Sequence, residues 1–318
     1  MEQELKNNIW AIGGGKGGAG KSITTILLGS ILAKRGKKVL LVDADLGGSN
    51  LHAFLGIRYP AYTIVDFIQR RVDNMEHIIV DTSINNLMLV CGADDIPGLA
   101  NPKHNQKLRI LHSLKKIDAD YILLDLGAGT SYTALDFFLY APNKIVVLSP
   151  LITSLQNAYG FIKCSLYRYL GGIFSKDPQC LELVQWGMIS DKTKNTENIE
   201  SIDELKSAVR SVGEKQYKKM CDSLNAFTVN FIVNNVRNSK EANISEILKS
   251  VTDNYLGMDL EYLGHINFDP MLDTYINELS TYLTSASPSV SGSCIYDMYD
   301  IATRIMQQGK ERPAQCPG

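Results

Sequence analysis

Gly15-Lys16-Gly17-Gly18-Ala19-Gly20-Lys21-Ser22 decides how the rest of the chain is read. The octapeptide satisfies G-x-x-x-x-G-K-[ST] and stands between a β-branched run, Ile9 to Ile12, and a segment of helical period, Ile23 to Lys34. A strand that turns through glycines into a helix aims successive backbone N–H groups at one point, and the helix N-terminus adds partial positive charge. That is a cradle for phosphate oxygens, with residues 15–23 around them. Lys21 is placed to reach the β and γ phosphates of a nucleotide, and the Ser22 hydroxyl to ligate Mg²⁺. The same stretch contains Gly13-x-Gly15-x-x-Gly18, a dinucleotide fingerprint with Asp43 as its ribose partner. A nicotinamide site has no use for two lysines and a serine at phosphate positions, so the nucleoside triphosphate reading is preferred.

Outward from the loop, short apolar runs alternate with helical segments. Ile9 to Ile12, Val39 to Val42, Leu87 to Val90, Tyr121 to Leu124, Lys144 to Leu148, Phe231 to Val233 and Leu260 to Ile266 read as buried strands. Strands separated by helices pair in parallel, and their ligand sits beyond the carboxyl ends of the strands. The expected fold is therefore α/β, a three-layer P-loop NTPase unit whose mostly parallel twisted sheet is flanked by helices. It is read as one domain over residues 1–318, with a helical insertion at about 171–227, where no strand is expected. Inside the insertion Ser201 and Glu204 fit a capping box ahead of Leu205, Val209, Val212, Tyr217, Met220 and Leu224. One amphipathic helix is expected there, packed on the main body or serving as a docking arm. A C-terminal helix is expected at about 294–308.

Composition narrows the function classes. The 318 residues are 45% hydrophobic and 21% charged, enough for a sizeable core and unlike a disordered chain. Lys plus Arg total 32 against 34 Asp plus Glu, so no global charge draws the chain to nucleic acid or anionic lipid. The six cysteines include no C-x-x-C pair, poor spacing for zinc, an iron–sulfur cluster or a redox dithiol. The polar N-terminus has no signal-peptide h-region and no run reaches 18 apolar residues, so the expected location is cytoplasmic.

Lys16 adds a second lysine to the loop, and the form K-G-G-x-G-K-[ST] resembles the deviant Walker A ATPases of the MinD/ParA family. The resemblance runs from about Ile9 to Phe161 and again from Thr228 to about Ile305. It implies an ATPase with ATP and Mg²⁺ as cofactors, working as a homodimer in which Lys16 reaches the partner's nucleotide and stabilises transition-state charge in trans. Val39-Leu40-Leu41-Val42-Asp43-Ala44-Asp45, with Gly47 and Asn50 behind it, is similar to the family's switch I. Asp45 then corresponds to the aspartate that positions the attacking water, while Asp43 lies nearer the metal. Asp125-Leu126-Gly127-Ala128-Gly129 is similar to the Walker B and switch II segment, where Asp125 holds Mg²⁺ through water and Gly127 lets the loop approach the γ-phosphate. This form, with VDADLG before it, is closest to the flagellar-number branch of the family, FlhG or FleN.

Asn234, at the end of Phe231-Ile232-Val233-Asn234-Asn235, matches the family's adenine-reading asparagine, and Gly264-His265-Ile266-Asn267-Phe268-Asp269 matches its G-x-I-P-x-D loop except that Asn267 replaces proline. The resemblance implies a spatial or number regulator of an assembly such as flagella or the division site, with an activator or cargo protein as partner. The alternative is a DNA-partition ATPase of the ParA type, although no basic stripe suited to DNA is visible. A metallocluster carrier would need paired cysteines, and an amidase or synthetase of related loop would need a small acid substrate. The C-terminal helix carries Asp297 and Asp300 against Arg304 on its polar face, so it is expected to dock on the core rather than enter an anionic membrane. Peripheral contact at the inner membrane or cell pole is the weaker expectation.

Overall fold

A computed structural model describes residues 8–92, 102–188, 199–274 and 293–311, together with 279, 281 and 283. All seven runs expected as strands are strands: β1 (Ile9–Gly13), β2 (Val39–Ala44), β5 (Tyr121–Leu126) and β6 (Asn143–Leu148) are longer than expected by one or two residues and β7 (Asn230–Val236) by four, while β4 (Leu87–Val90) keeps its expected bounds and β8 (Glu261–Asn267) is shifted by one residue. The eighth, β3 (Ile79–Asp81), is three residues long and largely half-buried, too short to show any period. The sheet order is β3-β4-β2-β5-β1-β6-β7-β8, and only β3 runs antiparallel to its neighbour. Successive side chains of a strand point to opposite faces, and both faces are covered. Ile9, Ala11, Leu40, Val42, Ile122 and Leu124 enter one core, while Trp10, Ile12, Val39, Leu41 and Leu123 enter the other. This is the three-layer P-loop NTPase arrangement.

β1 lies between β5 and β6, so the loop that follows it opens where the chain order reverses, the crevice in which α/β sheets hold ligands. The loop feeds α1 (Lys21–Lys34), whose buried Ile26, Leu27, Leu28, Ile31 and Leu32 lie against the sheet. Both sheet rims are finished. β3 is short and ends in the exposed Asp81. On β8, the Arg304 guanidinium donates from Nη1 to the Leu263 carbonyl at 3.0 Å and the Tyr262 carbonyl at 3.4 Å.

The other helices are α2 (Leu51–Phe54), α3 (Ile64–Ile68), α4 (His104–Leu114), α5 (Tyr132–Tyr140), α6 (Ile152–Ile173), α7 (Pro178–Met188), α8 (Ile202–Val212), α9 (Glu214–Ala226), α10 (Ser239–Ala242), α11 (Ile244–Leu256), α12 (Pro270–Thr274) and α13 (Ser293–Glu311). The amphipathic helix expected in the insertion is in fact two. Gly213 adopts an extended conformation between α8 and α9 and breaks it. Ser201 Oγ accepts the Glu204 N–H at 3.3 Å, as the S-x-x-E spacing requires, but Glu204 Oε2 reaches back to the Glu200 N–H instead of that of Ser201. The two helices bury Leu205, Val209, Met220 and Leu224 in the same core as α5 and α6.

At the other face, α13 packs Cys294, Met298, Ile301, Ala302 and Ile305 into the core beneath α1 and β8, each 1% exposed or less. Its apolar stripe is therefore spent on the protein, as its weakly acidic outer face suggested, and no helix among the described residues is long and apolar enough to cross a membrane. Ile301→Ala is expected to cost about 2–4 kcal/mol, read as a lower urea midpoint at unchanged slope. A change below about 0.5 kcal/mol would mean that the helix is not docked in solution.

Candidate functional site

The loop after β1 is shaped by glycine where nothing else fits. Gly18 and Gly20 hold φ of 85° and 86°, in the left-handed region that side chains avoid. Gly20 is also the N-cap of α1, which has no side-chain cap and no acidic residue in its first turn. The first N–H groups of the helix are thus left without partners inside it, and the positive end of its dipole faces the loop. Thr25 Oγ1 donates to the Lys21 carbonyl at 2.9 Å and lies 3.4 Å from Asp125 Oδ1, so the first turn is tied to the end of β5. The sheet register pairs Asp43 with Asp125 and Ile12 with Asp125, which brings the three strand ends and the loop to one place.

Charge there is unbalanced. Lys21 is 8% exposed, and burial lowers its pKa while Asp125 and Asp45 hold it up. Asp125 is buried, and burial with the neighbouring Asp43 pushes its carboxyl up to about 7 against a hydrogen bond from Ser22 and the charge of Lys21. Burial also raises Asp43, against hydrogen bonds from Ser49, Leu51 and Asp45. Three carboxylates and one lysine leave an excess of negative charge beside an anion cradle. A hard divalent cation that arrives with phosphate oxygens and keeps its waters suits this donor set of one hydroxyl and carboxylates. No group of three His, Cys, Asp or Glu side chains among the described residues is disposed to hold a metal alone. Mg²⁺ taken with a nucleotide therefore fits, Ser22 and Asp125 being the residues nearest to hand.

Asp43 has a more specific task than the resemblance implied. Its Oδ2 accepts from Ser49 Oγ at 2.7 Å and from the Asn50 and Leu51 N–H groups at 3.0 Å each, while Oδ1 accepts the Asp45 N–H at 3.2 Å. The carboxylate clamps the whole 45–51 loop and caps the start of α2. Both of its oxygens are occupied by the loop. Asp45 is half-buried, takes the Gly47 N–H on Oδ1 at 3.3 Å, and rests against Gly127, where an added Cβ would stand 2.8 Å from that oxygen. The structure thus brings Asp45, Gly47 and Gly127 together, with Asn50 exposed at the rim. Lys16, Gly17 and Gly18 are exposed at the tip of the P-loop, and Lys16 bonds to no other described residue. Gly15, Ala19 and Ile23 line its base, Ile23 against the core shared with α1.

Asn234 is buried, and its Nδ2 donates to the Ala19 carbonyl at 3.1 Å, while a Cβ on Gly20 would run into the same nitrogen. It braces the P-loop from behind. Asn267, in the position of the family's proline, uses its backbone N–H and Nδ2 to donate to Asp297 Oδ2 at 2.8 and 2.9 Å, joining this loop to α13 in a way that proline could not. Reading the sequence missed Thr25, Ser49 and Asn157, and saw Asp297 only as part of the polar face of α13 and not as the partner of Asn267. Thr25 was open to detection, since it lies four residues after Lys21 on the same helix face. Asn157 was not: its backbone on α6 presses against Gly15 from 142 positions away in the sequence.

Comparison with known proteins agrees with this geometry. A Helicobacter pylori septum site-determining protein MinD is 34% identical over 145 residues, 45% of this chain and 53% of its own length. A Pseudomonas aeruginosa antiactivator, FleN, is 28% identical over 155 residues, 48% of this chain and 54% of its own length. The chain thus spans about half the length of these relatives. Among solved structures, a Pyrococcus horikoshii septum site-determining protein MinD complexed with Mg-ADP has the same fold at a TM-score of 0.62 and 21% identity, over 95% of this chain and 96% of its own. The profile of the CobQ/CobB/MinD/ParA nucleotide-binding domain matches residues 10–281, from β1 through all eight strands. With that span, and with the glycine loop and carboxylates where such a domain needs them, the chain belongs to the CobQ/CobB/MinD/ParA nucleotide-binding family.

Proposed function

We propose that this chain is a Mg-ATP-dependent switch that dimerises around ATP, hydrolyses it to ADP and phosphate, and regulates the place or number of a cellular assembly such as flagella or the division site. The observation that carries the reading is the contrast between the two loop lysines: Lys21 is buried among Asp125 and Asp45, while Lys16 stands exposed at the loop tip with no bond to another described residue, placed to serve a second subunit. The backbone amides of residues 15–22 and Lys21 neutralise the phosphates, and Asp45 orients the water that attacks the γ-phosphate. Mg²⁺, when bound, supplies charge neutralisation at the β and γ oxygens. Because Asp45 of one switch loop leans on Gly127 of the other, release of the γ-phosphate is felt by both, and the dimer surface changes with it. Asn234, near the end of β7, couples that strand to the P-loop through the Ala19 carbonyl, and we infer that it meets the adenine from there. The similarity to MinD and FleN proteins supports the regulatory role, with a partner protein as activator or cargo.

Light scattering tests the reading on wild type, Asp45→Ala and Lys16→Ala, each with Mg²⁺ and either ADP or ATP. Asp45→Ala is expected to double its mass with ATP only, and Lys16→Ala to stay monomeric with both. A mass indifferent to nucleotide in all three proteins would sink the dimerising switch. Retention on DNA that requires ATP and weakens with salt would shift the role to partition.

A further inference from the structure

We propose that the groove between α5, α6 and α7 is the docking site for an amphipathic helix of a partner protein that carries an acidic side chain. The groove holds about 570 Å³ and is walled by Leu135 and Leu139 of α5, Ile173 of α6, and Leu181, Val184 and Met188 of α7. Its lips are open: Tyr132 is 63% exposed and Met188 is 42% exposed. Two successive glycines of α6 are part of the lining. A Cβ on Gly172 would meet nothing within 4 Å, and one on Gly171 only Leu181 Cδ1 at 3.9 Å. An apolar trough between helices is the shape that receives the i, i+3, i+4 and i+7 side chains of another helix.

Charge selects the occupant. Asp136, the single acidic residue of the lining, accepts Lys107 Nζ at 2.6 Å on Oδ2, and Lys107 is itself only 6% exposed. That pair is already neutral. Arg168 adds a second cation, with Nε at 2.7 Å and Nη2 at 2.6 Å from Oδ1 of the same carboxylate. It is the lining's one basic residue, is partly exposed, and stacks 4.6 Å over the Tyr132 ring at the lip. The Lys107–Asp136–Arg168 cluster thus carries one net positive charge at the mouth of an apolar groove, and with Nε and Nη2 turned to Asp136 the Arg168 Nη1 is the donor left to meet an incoming carboxylate. The chain's own next residues, Ile189-Ser190-Asp191-Lys192-Thr193-Lys194-Asn195-Thr196-Glu197-Asn198, offer a single apolar side chain and cannot supply the row of anchors. A partner helix with an apolar stripe and a Glu or Asp beside it can. Tyr132 opens α5 directly after the loop that carries Gly127, so the occupant would sit on the helix next to that loop.

The test is made on the full chain without nucleotide, so its failure leaves the ATP switch untouched, and the failure of that switch leaves it untouched. A displayed library of random peptides of roughly 16 residues, long enough for four helical turns, is panned against the protein, and enriched sequences are measured by fluorescence anisotropy. Enriched peptides are expected to show helical apolar spacing with an acidic residue. Gly172→Trp, which fills the groove from a position with open space, should weaken them at least about tenfold at unchanged melting temperature. Arg168→Gln should weaken the acidic peptide about fivefold and its Glu→Gln version hardly at all. Peptides without an acidic residue, or binding indifferent to Gly172→Trp, would overturn the proposal. So would nucleotide-free self-association abolished by Gly172→Trp, which would make a second copy the occupant.

Discussion

Gly127→Ala is expected to lower ATP turnover about a hundredfold while leaving ATP affinity and melting temperature close to wild type. The glycine has no unusual backbone angle to protect, so the added methyl is felt only through what it meets, and that is Asp45, with Oδ1 at 2.8 Å and Cγ at 3.1 Å. A carboxylate at the end of a short side chain can swing aside at small cost to folding. It then leaves the position from which we propose that it orients water, and a misplacement of about 1 Å is enough for a loss of that size. Steady-state phosphate release, nucleotide titration and a thermal melt separate the three quantities. Asp45→Ala should be equally slow, and the double variant no slower than either, because both act through one group. Normal turnover in Gly127→Ala would mean that Asp45 acts from elsewhere or not at all.

Gly15→Ala is expected to do the opposite and abolish binding, with affinity for Mg-ATP reduced at least about a hundredfold, or ~2.7 kcal/mol. Its Cβ would lie inside the Asn157 carbonyl and 2.7 Å from Asn157 Cβ. These atoms belong to the second turn of α6, where the backbone is held by the helix that follows, so the P-loop must move instead. Overpacking of this kind costs roughly 1–3 kcal/mol of stability as well. Gly17→Ala is the control. Two residues along the same loop, its Cβ would meet nothing within 4 Å and its φ is not positive, so the same methyl should leave affinity within about twofold. If the two variants bind alike, the contact between the P-loop and α6 is not what shapes the phosphate site.

What could be read from sequence, and what could not, divides along the range of the interactions. The strands from Ile9, Val39, Tyr121 and Phe231 were legible because buried parallel strands are dense in β-branched and apolar residues, and the glycine loop because left-handed backbone demands glycine at Gly18 and Gly20. The carboxylates Asp43, Asp45 and Asp125 were legible as positions at strand ends, but not in their division of labour. Only the folded loop shows Asp43 taking the N–H groups of Asn50 and Leu51. β3 escaped because three residues carry no period, and the break at Gly213 because an extended residue leaves helical spacing on either side nearly in phase. The pressure of Asn157 on Gly15 and the bond between Asn267 and Asp297 join segments far apart in the chain, and no local pattern announces them.

The finished rims of the sheet carry a consequence for how the protein behaves when crowded. A sheet whose outer strands present long rows of unused N–H and C=O groups recruits further strands and grows into fibres. Here one rim is a three-residue strand ending in a carboxylate, and on the other Arg304 already occupies the carbonyls of Tyr262 and Leu263. Strand addition is poorly templated at either end. Copies that meet do so through side chains, in contacts that come apart on dilution, and a concentrated solution should stay clear and free of dye-binding aggregate. Arg304→Ala, which frees those carbonyls, marks the edge where that resistance would first be lost.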